Sequence, residues 1–224
     1  MTQYKLIYFD FRGFGEGVRI LLHYGEIAFE DLRIEQEEWL ELKPNVPYGQ
    51  LPVLEIDGQR IAHSAAIYRF LGRQLDLVPK CPIQEAMVDA AHDAFREFYG
   101  QISKYLLIRQ GFDDGDECNL CVTVDNCTYN FLNLQDEVLE EEVIPARDLY
   151  FSFVKTDLLK SDGIHLIGKK LSWIDLIIAD SLLVLNGMIP SLFDGFPEVK
   201  KFVDEVHNLP KLKRYFEERP PRPF

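Results

Sequence analysis

Apolar and polar residues follow two different periods in the first third of this chain. Residues 4–9 and 29–34 are apolar enough for strands, and residues 16–24 carry apolar side chains at the i, i+3 and i+4 spacing of one helix face. The order of these three segments predicts a βαβ unit. Its first strand contains Tyr8 close to its end.

A second set of elements covers residues 51–71. Pro52 precedes a short apolar strand, Asp57 and Gly58 favour a tight turn, and the chain then returns through a second strand to Ser64. Serine at the head of an apolar-periodic segment is typical of a helix start. A βαβ unit followed by two strands and a helix is the thioredoxin-like arrangement, which we predict for residues 1–78.

Beyond this region, strand patterns give way to long helical periodicities. Prolines at 79 and 82 interrupt the chain, so we predict a linker at residues 79–83 and an all-helical domain at residues 84–224. Within that domain Ser172 stands three residues before Asp175, ahead of an apolar run. This spacing predicts a capping box at the start of a buried helix.

Residues from about 111 to 142 have neither a steady helical period nor a strand pattern. We predict an acidic insertion between two helices, either a loop or an extended helix end. Cys118, Cys121 and Cys127 lie within it, and a C-x-x-C spacing is compatible with zinc. Because no histidine stands nearby as a fourth ligand, we favour reduced thiols and predict no metal.

Composition limits the partners of the protein. The 224 residues carry a formal net charge of −13, which disfavours nucleic acid and anionic membranes, and an anionic ligand would need a locally basic pocket. No basic segment followed by an apolar run opens the sequence, and the apolar tract at 176–185 is interrupted by Asp180. We therefore predict a soluble, cytoplasmic protein.

Several of these residues together resemble a known family, the glutathione transferases. Tyr8 stands at the end of the first strand, Gln50, Leu51 and Pro52 precede the hairpin, and Ser64 follows it. Further residues make the chain similar to the sigma class, including nematode and prostaglandin D synthase-type members: the segment 4–9, Trp39, Lys43-Pro44 and Arg219-Pro220. The resemblance implies a thioredoxin-like domain, an all-helical domain and glutathione as co-substrate.

The resemblance implies that Tyr8 is the catalytic residue. A phenol at this position would donate a hydrogen bond to the glutathione sulfur and favour the nucleophilic thiolate. Lowering a free-thiol pKa of ~8.5 by about two units corresponds to roughly 2.7 kcal/mol. Periodicity alone would instead make Tyr8 a core residue of the strand.

The resemblance also implies a set of glutathione-binding residues. The Leu51 backbone would pair with the cysteinyl unit, Ser64 would bind the γ-glutamyl carboxylate, and Lys43 would supply the cation for the glycyl carboxylate. The full set comprises Tyr8, Trp39, Lys43, Gly49, Gln50, Leu51, Pro52, His63 and Ser64. His63 replaces the glutamine usual in the family, and Phe14 replaces an arginine that many sigma-class members have near the thiolate.

Further implications concern a second subunit and a second substrate. Glu97 would reach the ligand of a partner subunit in a homodimer, although such an acidic face is equally compatible with simple solvation. The apolar co-substrate would contact Phe9, Phe14, Phe95 and Tyr99, which could equally be core aromatics. Arg96 interrupts the acidic cluster that holds a divalent metal in some relatives, so no metal is carried over.

We therefore predict an enzyme that conjugates the glutathione thiolate to apolar electrophiles. A narrower enzymatic activity that the resemblance allows is the glutathione-dependent isomerisation of prostaglandin H to prostaglandin D. The resemblance also leaves open a catalytically weak structural protein similar to the S-crystallins and a non-catalytic ligand carrier. The sequence does not separate conjugation from isomerisation.

Overall fold

Four strands form one sheet in the N-terminal part of the chain, in the order β2-β1-β3-β4. This computed structural model describes residues 2–109, 136–189 and 191–222. Strand β1 pairs in parallel with β2, whereas β1 with β3 and β3 with β4 are antiparallel. The strands are β1 (Tyr4–Phe9), β2 (Phe29–Ile34), β3 (Val53–Ile56) and β4 (Gln59–Ala62).

Three helices accompany this sheet. Helix α1 (Gly13–Tyr24) connects β1 to β2, helix α2 (Gln36–Leu42) follows β2, and helix α3 (Ser64–Gln74) follows β4. Two 3₁₀ turns, Lys43–Asn45 and Pro47–Gly49, lead from α2 towards β3. The order βαβ followed by ββα confirms the predicted thioredoxin-like arrangement.

The hairpin between β3 and β4 turns where the sequence indicated. Asp57 and Gly58 have φ angles of +47° and +83°, the pair of positive values that a two-residue type I′ turn needs. The Asp57 side chain accepts a hydrogen bond of 2.8 Å from the Gln3 backbone N–H. The turn is therefore linked to the start of β1.

The rest of the described chain is helical. Its helices are α4 (Pro82–Gln101), α5 (Ser103–Arg109), α6 (Ile144–Lys160), α7 (Trp173–Met188), α8 (Pro197–His207) and α9 (Pro210–Glu218). The capping box of α7 is formed, because the Asp175 carboxylate accepts bonds of 2.7 Å from the Ser172 N–H and hydroxyl. Helix α4 begins at Pro82, inside the stretch expected to be a linker, because proline is well suited to a first helical turn.

Two segments are more ordered than their patterns indicated. The stretch after β2, for which the sequence pattern predicted no element, contains α2, which starts with a reciprocal capping box between Glu35 and Glu38. Residues Leu139–Val143, at the end of the stretch predicted to be a loop or an extended helix end, form a π-helical turn that continues into α6 and buries Val143. The cysteines at 118, 121 and 127 lie outside the described residues.

The helical domain packs on the sheet domain through α1. A side chain at Gly17 would collide with Ile177 of α7, since a Cβ there would lie 2.5 Å from the Ile177 Cδ1 atom. Arg219, beyond α9, donates bonds of 2.8 Å to both Glu16 of α1 and Asp180 of α7. Within the described ranges, none of the helices is sufficiently long and apolar to span a bilayer.

Candidate active site

Tyr8 lies near the end of β1 with its side chain buried. Its hydroxyl oxygen accepts a hydrogen bond of 3.1 Å from the Phe14 N–H. Among the described residues, no acceptor takes the hydroxyl proton of Tyr8. Burial raises the pKa of Tyr8 above its ordinary value, and the Phe14 N–H offsets only part of that rise. The Tyr8 hydroxyl is therefore protonated, and it donates no hydrogen bond to another described residue.

Two glycines allow the backbone to pass closely over the Tyr8 ring. Gly13 has a φ of +39°, and a Cβ there would lie 2.6 Å from the Tyr8 hydroxyl oxygen. A Cβ on Gly15 would lie 2.2 Å from the ring Cδ1 atom. Sequence reasoning did not single out these glycines, although their spacing at the start of α1 could have indicated a close backbone approach.

Phe14 is held between two tyrosines through its backbone. Its N–H donates to Tyr8, and its carbonyl accepts a hydrogen bond of 2.5 Å from the Tyr68 hydroxyl. The Phe14 ring lies 5.3 Å from the Tyr99 ring, measured between centroids. The Arg96 guanidinium carbon lies 4.0 Å from the Phe14 ring centroid, a cation–π contact.

Arg96 places a positive charge beside Phe14. Phe14 itself stands where many sigma-class members have an arginine, so a cation had not been expected here. Its side chain is exposed and forms no ion pair among the described residues. Burial raises the pKa of Tyr99, and the charge of Arg96 opposes that rise. The guanidinium of Arg96 therefore acts electrostatically on the Tyr99 hydroxyl. The ionised form of Tyr99 would in turn raise the pKa of Tyr8.

Arg19 stabilises the turn between β1 and α1 through hydrogen bonds to its backbone carbonyls. It is buried, and its guanidinium donates to the carbonyls of Phe9 and Phe11 at 3.3 and 3.0 Å. It also pairs with Asp31 at 3.1 Å. A single arginine inside the apolar stretch of α1 was the available sequence signal for this role.

The start of α3 offers free backbone donors. Ser64 is the first helical residue and not the N-cap, which is His63. His63 has a φ of +67° and provides no side-chain cap, so the first N–H groups of α3 lack acceptors within the helix. Such a helix start favours a carboxylate or another anion.

The segment before β3 has an open backbone. The peptide bond between Leu51 and Pro52 is cis. The Leu51 backbone makes no hydrogen bond to the described residues, and Gln50 beside it is exposed. This opening can accept an extended ligand in the manner of an added strand.

Lys43 and Gly49 lie against each other beside this opening. Gly49 has a φ of +57°, and a Cβ there would lie 3.6 Å from the Lys43 Cγ atom. Lys43 is only partly exposed and has no ion-pair partner in the part of the chain that the structure describes. Its ammonium is therefore available to an anionic group of a ligand.

The remaining predicted aromatic residues fall into two groups. Trp39 and Phe9 pack together with 6.0 Å between ring centroids, and both are nearly buried. Phe95 is also buried, 6.0 Å from the ring of Tyr99, which adjoins Phe14. Phe14 and Tyr99 therefore lie together, whereas Phe9 and Phe95 are buried and contribute mainly packing.

Glu97 lies on the exposed face of α4. In residues 2–109, 136–189 and 191–222, no group of three histidine, cysteine, aspartate or glutamate side chains is arranged to hold a metal ion. The residues described above contribute a phenol, backbone donors and two cations, Lys43 and Arg96.

A thioredoxin-like domain with a buried tyrosine near the end of its first strand, joined to an all-helical domain, defines the class of two-domain proteins to which this fold belongs. Comparisons with known proteins specify the family. Residues 4–73 match the family model for the glutathione S-transferase N-terminal domain, and residues 126–219 match the one for the C-terminal domain. The chain is similar to Glutathione S-transferase 1 of Ascaris suum, with 40% identity covering 100% of both chains. It belongs to the glutathione S-transferase family.

Solved structures agree with this assignment. The glutathione S-transferase of Ascaris lumbricoides has a TM-score of 0.86 and 40% identity over 99% of this chain and 100% of its own. A Nu-class member from Haemonchus contortus has a TM-score of 0.82 and 33% identity over 100% of both chains. Prostaglandin synthase D of Nilaparvata lugens has a TM-score of 0.79 and 34% identity over 97% of this chain and 98% of its own.

The class and the oligomeric state differ among these relatives. The family models and the relatives establish family membership. They do not establish the sigma class, because a Nu-class member is among the neighbours. A monomeric glutathione S-transferase from Necator americanus matches with a TM-score of 0.86 and 35% identity over 99% of this chain and 100% of its own. The predicted homodimer is thus not established either. The comparisons do not favour a crystallin-like protein or a ligand carrier.

Proposed function

We propose that this glutathione transferase uses Tyr8 to activate the glutathione thiol for attack on apolar electrophiles. The observation that carries this proposal is the buried, protonated Tyr8 hydroxyl, whose proton has no acceptor in the described structure. A thiolate placed beside it would accept that proton in a charge-assisted hydrogen bond. Once the thiol proton has left to solvent, the thiolate sulfur would form a bond to the electrophilic carbon. In a substitution that carbon would release its leaving group, such as chloride, and in an addition the π electron pair would move away from it and take up a proton from solvent.

The γ-glutamyl and cysteinyl units of glutathione have suitable anchors at the start of α3 and before β3. We assign its γ-glutamyl carboxylate to Ser64 and the free N–H groups at the start of α3, with His63 beside them. Its cysteinyl backbone would pair with Leu51 next to Pro52. These two anchors would hold the sulfur near the Tyr8 hydroxyl. The loss of translational and rotational entropy then occurs on binding and not in the reaction step.

The glycyl carboxylate fits the rim formed by the turns before β3. Lys43 supplies a positive charge without a competing ion pair among the described residues, and Gly49 and Gln50 lie beside it. Trp39 supports this rim by packing on Phe9. Lys43 supplies the cation that an anionic tripeptide needs on a chain with a net charge of −13.

The co-substrate would occupy the side of Tyr8 on which Phe14 and Tyr99 lie. Arg96 stacks on Phe14 there, so a cation is available near the thiolate despite the phenylalanine at position 14. Apolar walls with one cation suit electrophiles that develop negative charge during attack. Phe9 and Phe95 would stabilise the walls from beneath.

For class, assembly and location, we propose a sigma-class enzyme and a cytoplasmic homodimer in which Glu97 reaches the glutathione of the partner subunit. The exposure of Glu97 supports this assembly, as do the apolar Ile83 and Met87, which are 72% and 49% exposed on α4. Light scattering of the purified protein tests the dimer, and a monomer at micromolar concentration would contradict it.

The decisive experiment is the ultraviolet difference spectrum of bound glutathione as a function of pH. We expect a thiolate band that titrates about two units below the free thiol value of ~8.5. In Tyr8→Phe the band should titrate near the free value while glutathione still binds. An unshifted band in the unmodified protein would contradict the assigned role of Tyr8. Assays with a chloronitrobenzene and with prostaglandin H then separate conjugation from isomerisation.

A further inference from the structure

A cleft of about 580 Å³ lies at the junction between the two domains, away from the residues assigned to glutathione. Its walls come from the segment 76–81 between α3 and α4, the end of α6 and the loop 167–171 before α7. It shares no lining residue with the Tyr8 site. Its volume is typical of sites for small molecules.

The cleft concentrates positive charge on an acidic protein. Four lysines line it, Lys80, Lys160, Lys169 and Lys170, against one acidic residue, Asp76. Among the described residues, the only ion pair that these lysines form is a contact of 3.9 Å between Lys160 and Asp157. Like charges gathered in one cleft repel each other, and a bound anion would relieve that repulsion.

The cleft also has an apolar part and a fixed frame. Val78, Ile167 and Leu171 contribute apolar walls. The Trp173 N–H, at the start of α7, donates a hydrogen bond of 3.0 Å to the Leu77 carbonyl, which joins two of the walls. Gly168 has a φ of +74°, a conformation that favours glycine, and the two lysines that follow it line the cleft.

We propose that this cleft binds a small organic anion with two or more negative charges beside an apolar group. Ammonium groups on flexible stems bind phosphate and carboxylate as point charges, and the apolar walls would cover the rest of the ligand. This proposal does not depend on the proposed catalytic function, because the two sites share no residue.

The test uses 1-naphthyl phosphate as the probe in isothermal titration calorimetry. Saturating S-hexylglutathione is present throughout, so that the glutathione site is occupied. We expect one site per chain, with affinity at least tenfold higher than for inorganic phosphate or for 1-naphthol. Affinity should fall as salt is raised. Absence of a saturable site, or binding seen only without S-hexylglutathione, would overturn the proposal.

Matched variants assign the binding to the cleft. Lys80→Gln, Lys169→Gln and Lys170→Gln combined should raise the dissociation constant at least tenfold. The control combines Lys200→Gln, Lys201→Gln and Lys213→Gln, with the same charge change on α8 and α9, and should change it less than twofold. Equal losses in both variants would mean diffuse attraction and would refute the site. Unchanged conjugation activity in both confirms folding, and failure of conjugation in the unmodified chain would count against the catalytic proposal alone.

Discussion

The substitution Gly15→Ala tests how closely the backbone of α1 controls Tyr8. The added methyl carbon would lie 2.2, 2.5 and 2.9 Å from the Cδ1, Cγ and Cε1 atoms of the Tyr8 ring. The ring cannot simply turn away, because Phe9 and Phe11 flank it with centroids at 5.7 and 5.4 Å. We therefore expect the ring or the helix to shift by about 1 Å to restore ordinary contact distances.

Two opposing effects determine the size of the change. Replacing glycine by alanine inside a helix normally stabilises by up to about 1 kcal/mol. Overpacking a filled core destabilises by typically about 1–3 kcal/mol, so the balance should be a net loss of roughly 1–2 kcal/mol. In a chain of this length that corresponds to a fall in Tm of very roughly 3–6 °C. The effect on catalysis should be larger, because a displacement of about 1 Å at a catalytic group can cost about 10²-fold in rate.

The assay combines thermal unfolding with steady-state conjugation of glutathione to 1-chloro-2,4-dinitrobenzene. Gly100→Ala is the matched control, because Gly100 lies near the end of α4 with no atom within 4 Å of a Cβ there. It should keep full activity and be as stable as the unmodified protein or slightly more so. If Gly15→Ala were fully active and more stable, the close approach of backbone and ring would be refuted.

The site and the domain junction support three more predictions. Tyr8→Phe should lower kcat for conjugation by 10²-fold or more while the dissociation constant of glutathione changes less than threefold; near-normal turnover would exclude Tyr8 as the activating residue. Arg96→Gln should raise the pKa of the bound thiol by about 0.4 unit, because a charge at roughly 8 Å in solvent-like surroundings contributes about 0.5 kcal/mol. Arg96→Lys keeps the charge and should restore part of the shift. Identical titrations in all three proteins would exclude an electrostatic effect of Arg96 on the thiol. Arg219→Gln should lower the free energy of unfolding at pH 7 by about 3 kcal/mol, because it removes one partner of a buried charge cluster with Glu16 and Asp180. Burial works to raise the pKa of Asp180, but His207 and Arg219 outweigh it and hold that pKa below its ordinary value. The stabilisation is therefore complete above the unfolded-state pKa of about 3.9 and is lost as pH falls below it. In urea unfolding, the difference in unfolding free energy between the unmodified protein and Arg219→Gln should therefore narrow below pH 4. A difference that is independent of pH would contradict the ionic origin.

Local features of the sequence were sufficient for many elements of the fold. The Asp57-Gly58 turn, the Ser172 and Asp175 capping box and the apolar period of α1 each depend on residues within a few positions of one another. The helix after β2 was missed because its signal, a reciprocal box between Glu35 and Glu38, involves two residues of like charge in a polar segment. Helix α3 begins at Ser64 as predicted, although the cap position falls on His63, whose positive φ no local pattern indicated.

By itself, then, the sequence determined most of the elements, their order and, through the resemblance, the family, because turns, caps and periods are specified by short-range interactions. Tertiary structure alone decided which distant residues meet. Arg96 lies over Phe14, far from it along the chain, and Arg219 joins Glu16 to Asp180. Such contacts depend on how whole helices pack, since the free energy of packing belongs to the assembled surfaces and not to any local pattern. The cation beside the candidate site and the lysine-lined cleft are products of that packing.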